Sequence, residues 1–199
     1  MQRNEGEKMT KSELAANYVS HQIHRLVSSM NTGGGKAQLA NLRRGIGKMP
    51  GELPELWGSF LNGIPEELLS RNGVPTRAEW AVYLSLTLFA MHQQGNGESV
   101  HEEGIGLGKA AAKLMSEPTD EERERVLHRF APVATAKDMP EISHHLRNLI
   151  QLMKAKGIRL DYVRLAKDLY DFQSEDNRKR VQLRWGQDFY YNDKGESES

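Results

Sequence analysis

Wound as a helix, the stretch Arg77-Ala-Glu-Trp-Ala-Val-Tyr-Leu-Ser-Leu-Thr-Leu-Phe-Ala-Met-His-Gln93 is apolar on nearly every side. Trp80, Ala81, Val82, Tyr83, Leu84, Leu86, Leu88, Phe89 and Met91 leave no polar stripe for solvent. Such a helix belongs in the middle of a bundle, with neighbours all round it. Thr76 and Glu79 stand at capping-box spacing and start it. Upstream, Pro50, Pro54, Pro65 and Pro75 leave room only for short helical pieces. Before them a short helix from Lys36 carries Leu39 and Leu42 and stops at Gly45 and Gly47, and Asn31–Gly35 is expected to be a flexible break. The first helix starts near Lys11 behind a Thr10/Glu13 capping box and turns Ala15, Val19, Ile23, Leu26 and Met30 inward.

Downstream, Gln94–Gly104 reads as a polar Gly-rich loop and Leu107–Met115 as a short Ala-rich helix. Thr119 and Glu122 form a third capping-box spacing, with Val126, Leu127 and Phe130 buried behind it. The most regular helix places Ile142, Leu146, Leu149, Ile150 and Met153 on one face and ends at Gly157. Asp161 and Ser174 are candidate N-caps of two last helices, which bury Tyr162, Leu165, Ala166 and Leu169, then Val181, Trp185 and Phe189. No convincing run of five or more residues alternates with period two. The expected fold is all-α: two packed helical bundles, residues 10–116 and 117–191, joined near residue 117, with a solvated, disordered tail over 192–199.

The chain has 199 residues and balances 27 basic against 27 acidic side chains, with no cysteine. That removes disulfides, thiolate metal sites and cysteine nucleophiles, and fits a reducing cytoplasm. The longest apolar run, Trp80–Met91, is too short to span a bilayer, and Met1–Lys8 has no apolar signal core, so neither membrane insertion nor secretion is expected.

Few residues are arranged for chemistry. Met30-Asn-Thr-Gly-Gly-Gly-Lys36 fails as a phosphate loop, because Met30 stands where the first glycine belongs and Ala37 where a magnesium-binding hydroxyl belongs. Gly104-Ile-Gly-Leu-Gly108 lacks the strand that precedes a dinucleotide fingerprint. His21 and His24 share a helix face, but no HExxH pair or thiolate accompanies them. The pairs Glu66-Glu67, Glu102-Glu103 and Glu121-Glu122 read as helix-start or solvated acids. The expectation is a non-enzyme with no cofactor and no metal.

Charge is segregated by position. From Leu14 to Gly51 there is no Asp or Glu, while Arg25, Lys36, Arg43, Arg44 and Lys48 fall inside. Three more acid-free windows follow: Gly104–Ser116 with Lys109 and Lys113, Arg125–Lys137 with Arg125 and Arg129, and Ile142–Leu160 with Arg147, Lys154, Lys156 and Arg159. His144, Arg147, Gln151 and Lys154 share one side of their helix, away from the apolar stripe. Cations without interleaved acids suit phosphate contact. From charge alone the bland reading weighs more: they are ordinary solvated faces if folding brings acids beside them.

Several segments in order resemble one family. They are Leu42-Arg43-Arg44-Gly45 with a Pro-broken acidic stretch to Trp57; Trp80 and Leu88-Phe89-Ala90-Met91-His92; and Gly106-Leu107-Gly108-Lys109-Ala110. Then come Leu146-Arg147-Asn148-Leu149-Ile150, Gly157-Ile158-Arg159-Leu160-Asp161-Tyr162, Leu165-Ala166-Lys167-Asp168-Leu169, and Arg184-Trp185 with Asp188-Phe189. Over residues 11–190 this set resembles the CasB family, the small subunit of the type I-E CRISPR surveillance complex Cascade. The resemblance implies a non-catalytic, all-helical subunit of an RNA-guided antiviral assembly. Two copies would lie head to tail against the backbone and large subunits, near the guide RNA, and would stabilise the displaced single-stranded non-target DNA. It further implies nucleic-acid contact through Arg43, Arg44, Arg77, Lys109, Arg129 and Arg147; Lys36 and Lys113, from the acid-free windows, join these six as outer members of the expected site. Alternatives stay open: Arg77 is also placed to bridge an acid near its helix start, Arg43 to cap carbonyls, and the whole protein to dock on neighbouring subunits without touching nucleic acid. Tyr162 stands where the family often has Trp, and the loop after Phe130, with Pro132 and Pro140, is expected to be longer than in compact members, which leaves the Arg129-to-Arg147 geometry open.

Overall fold

A computed structural model describes residues 9–191; the expected tail over 192–199 and the polar residues 1–8 lie outside the described residues. Nine α-helices account for most of these residues: α1 (Lys11–Ser29), α2 (Gly33–Arg44), α3 (Trp57–Phe60), α4 (Arg77–Gln93), α5 (Leu107–Ala112), α6 (Asp120–Thr135), α7 (Met139–Ala155), α8 (Tyr162–Phe172) and α9 (Glu175–Tyr191). Short 3-10 turns cover Pro54–Leu56 and Glu66–Leu68. The all-α expectation holds; among the described residues the one β-type pairing is an isolated parallel bridge between His101 and Leu160.

Helix α4 occupies the centre. Every residue from Ala81 to Gln93 is buried, and α1, α2, α7 and α8 all pack against it. Its capping box is complete: Thr76 Oγ1 accepts from the Glu79 N–H at 3.0 Å, and Glu79 Oε2 accepts from the Thr76 N–H at 2.7 Å. Its buried polar groups mostly find partners, as burial requires. Tyr83 donates to the Gly45 carbonyl at 3.0 Å, and the His92 ring lies 2.9 Å from the Tyr162 hydroxyl. Gln93 accepts from the Val100 N–H and donates to the carbonyls of Asn96 and Glu98. The Gln94–Gly104 loop is thereby pinned, and Leu160 and Asp161 stitch its far end to the start of α8.

Three local expectations change. The Asn31–Gly35 break is shorter than expected: Thr32 caps α2 directly, accepting from the Gly35 N–H at 3.1 Å, so the three glycines form its first turn. The long loop after Phe130 is absent, because α6 continues through Pro132 to Thr135 and α7 starts at Met139 with Pro140 in its first turn, where a missing N–H costs nothing. The Thr119/Glu122 box is half formed. Thr119 accepts from Glu122, but the Glu122 carboxylate accepts instead from the Ser116 N–H and from Arg125.

The core does not stop at residue 117. Helix α8 lies against α1 and α4, α9 against α5, and the apolar side chains of both parts form one cluster. Gly108 makes the α5–α9 contact possible, since a Cβ there would stand 2.2 Å from the Trp185 carbonyl oxygen. Between α8 and α9, Asp168 is buried and accepts hydrogen bonds from the Trp185 indole at 2.6 Å and from Arg184. Burial pushes its carboxyl pKa up, against the pull of Arg184 and of the indole N–H.

Candidate nucleic-acid interface

Helices α2 and α7 flank α4 and bring two of the acid-free windows together. On α7, His144, Arg147 and Gln151 are exposed and Lys154 is half-buried, opposite the buried Ile142, Leu146, Leu149 and Met153. On α2, Lys36 and Arg43 stand seven residues apart, so they share a side. Lys154 reaches over the end of α4 and donates to the Met91 carbonyl at 3.0 Å. Its pKa is lowered first by desolvation and then by Arg43, which places these two cations near each other.

Three clefts extend this pairing in both directions. One, of about 200 Å³, lies between the turn after α2 and the first half of α7, with Lys48 and Arg147 on its lining and Trp80 beneath. A second, of about 130 Å³, is lined by Lys154 and Arg159 beside His92 and the Gln94–Val100 loop. A third, of about 280 Å³, continues past Arg159 to Lys113, the C-cap of α5. Lys48 and Arg147 thus share the first cleft, Lys154 and Arg159 the second, and Arg159 and Lys113 the third, with Arg43 close enough to Lys154 to help lower its pKa.

Of the eight residues expected from sequence, Arg43, Arg147 and Lys113 lie on this track, and Lys36 shares the α2 side that bears Arg43. Arg44 points to Glu55 instead and forms an ion pair at 2.8 Å. None of the other seven is ion-paired among the described residues. Arg77 meets no acid near its helix start; its guanidinium sits 5.7 Å from the centre of the Tyr170 ring on α8. Lys109 is half-buried on α5, one turn before Lys113. Arg129 is exposed on α6 and lines none of the three clefts. The eight also leave out Lys48, Lys154 and Arg159, which the track includes. All three fall inside acid-free windows, Lys48 in the first and Lys154 and Arg159 in the last, and Lys154 also shares the Arg147 side of α7. Acids temper the track at three points: Glu52 against Lys48 at 2.7 Å, Glu102 against Arg159 at 3.8 Å, and exposed Glu98 on the lining of the second cleft.

Among the described residues no group of three or more His, Asp or Glu side chains is placed to hold a metal, and no helix is long and apolar enough to cross a membrane. The fold and the clefts define a class: an all-helical protein with a central buried helix and a basic track beside it. Within that class the chain belongs to the family described as CRISPR-associated protein Cse2, whose model matches residues 38–190. It is similar to the crystal structure of CasB from Thermobifida fusca, with 30% identity and a TM-score of 0.73 over 88% of this chain and 97% of that one. Two further crystal structures share the fold. A CRISPR-associated Cse2-family protein from Thermus thermophilus has 22% identity and a TM-score of 0.62, over 92% of this chain and 99% of that one. M. ruber CasB has 23% identity and a TM-score of 0.62, over 86% and 93%. No curated protein matches the chain.

Proposed function

We propose that this Cse2-family protein is a non-catalytic small subunit of a type I-E CRISPR RNA-guided surveillance complex that holds the displaced non-target DNA strand by its phosphates. The observation that carries this is the track from Lys48 through Arg147, Arg43, Lys154 and Arg159 to Lys113, built from cations on three helices and their loops. Backbone contact needs no sequence readout, because the guide RNA supplies it by base pairing. With a net charge of zero, the free subunit binds weakly and works inside the assembly, beside the guide RNA, the backbone and large subunits and a second copy of itself. Arg43→Gln with Arg147→Gln should weaken strand binding by the assembled complex and make its log–log salt dependence shallower by about 1.4, at about 0.7 per lost single-strand phosphate contact. Unchanged affinity and slope in a folded double variant would remove the track as the site. A second reading, docking on protein neighbours alone, draws support from exposed Leu183, Tyr190 and Tyr191 on α9. Crosslinks from the track to protein only, never to the displaced strand, would favour it.

A further inference from the structure

The cleft at the head of the track differs from the other two in having an aromatic base. Trp80 belongs to the central helix, yet it is half-buried where its followers Ala81 to Gln93 are buried, and the side it shows lines this cleft. Met49 and Pro140 add apolar wall, while Lys48, His144 and Arg147 supply the polar rim. None of the lining residues is acidic. At about 200 Å³ the cleft is smaller than the space a drug-sized ligand fills. An aromatic face with cations at its edge is how single-stranded nucleic acid is held without sequence preference: a base stacks on the ring and the flanking phosphates meet the cations.

We infer that Trp80 is a base-stacking platform for single-stranded nucleic acid, with Arg147 and Lys48 engaging the phosphates on either side of the stacked nucleotide. This rests on the phosphate-track reading and adds a contact that reading does not require. An unpaired strand is the occupant the site fits, because a duplex keeps its bases stacked on one another. The site discriminates single from double strands without reading sequence.

The test uses the full chain carrying Trp57→Phe, which removes the other exposed indole. At low salt it is titrated with oligothymidylate and with an abasic deoxyribose-phosphate oligomer of the same length. Oligothymidylate should bind about fivefold more tightly and quench the Trp80 fluorescence, the low end of what one stacked base contributes. Trp80→Leu, checked for an unchanged melting transition, should bring the two oligomers to equal affinity. Equal binding of both oligomers to the parent protein, without quenching, would overturn the stacking platform and leave the phosphate track standing. No binding of either, to the full chain at low salt or to the assembled complex, would overturn both.

Discussion

His92 shows how one buried side chain ties the track to the core. It is 1% exposed, its ring is 2.9 Å from the Tyr162 hydroxyl, and it lines the cleft that holds Lys154 and Arg159. Desolvation, with Lys154 adding to it, pushes its pKa down to about 4. An unfolded histidine titrates near 6.5. The folded form thus resists protonation: the stability associated with neutral His92 is complete above about pH 6.5 and is lost as pH falls towards 4. The difference is about 3 kcal/mol across that window. Urea unfolding at pH 7 and pH 4 should show it, and His92→Gln should flatten the profile there; an equally steep profile in that variant would assign the loss to other groups. At this scale the sequence was legible where charge is local and opaque where partners are remote. The acid-free windows were plain, but the acids that temper Arg44 and Arg159, namely Glu55 and Glu102, lie outside them and arrive by folding. In the sequence Trp80 looks like one more core residue, because periodicity cannot tell which side of a buried helix breaks the surface.

The helices themselves were largely legible, since capping is a short-range bond that spacing reveals. Thr10/Glu13 and Thr76/Glu79 close both halves of their boxes. At the end of α7, Gly157 takes a φ of 67°, the Ile158 N–H donates to the Met153 carbonyl at 2.9 Å, and the Gly157 N–H donates to the Lys154 carbonyl at 3.2 Å. That is a Schellman stop, which favours glycine. The misreadings fell where a residue's helix propensity and its tertiary duty part. Pro132 and the glycines of α2 sit in helices because capping and packing outweigh their propensities. Glycine can be tested in both directions. Gly108→Ala drives a Cβ into the Trp185 carbonyl and should cost roughly 2 kcal/mol, crowding outweighing the gain in helix propensity. Gly34→Ala, with nothing within 4 Å of the new methyl, should be neutral or stabilising by up to about 1 kcal/mol. Urea midpoints with unchanged m-values measure both. A neutral Gly108→Ala would mean that α5 and α9 are not in close contact in solution.

At the scale of the whole molecule, chain order and packing order differ. Residues 117–191 contribute α6 to α9, yet α8 spends its apolar face on α1 and α4, with the Tyr162 ring edge-on to Phe89 at 5.4 Å. Tyr162, Leu165, Ala166 and Leu169 are each 1% exposed or less, and in a separated C-terminal piece much of that burial would be lost. A piece this small needs nearly all its apolar area covered to offset the entropy of ordering its backbone. Residues 117–199 expressed alone should therefore show helical content without a cooperative thermal transition, and should bind a hydrophobic dye. Adding residues 1–116 should restore a cooperative transition, because α1 and α4 present the complementary face. A sharp melt of the isolated C-terminal piece would show instead that α8 and α9 suffice for a core, and that the two parts of the basic track, Arg43 on one piece and Arg147 with Lys154 on the other, are free to move apart. Their cohesion depends on α4 being shared: Lys154 caps it at Met91, Arg147 and Lys48 line one cleft with Trp80, and the track holds its geometry only while both halves of the chain stay folded around that helix.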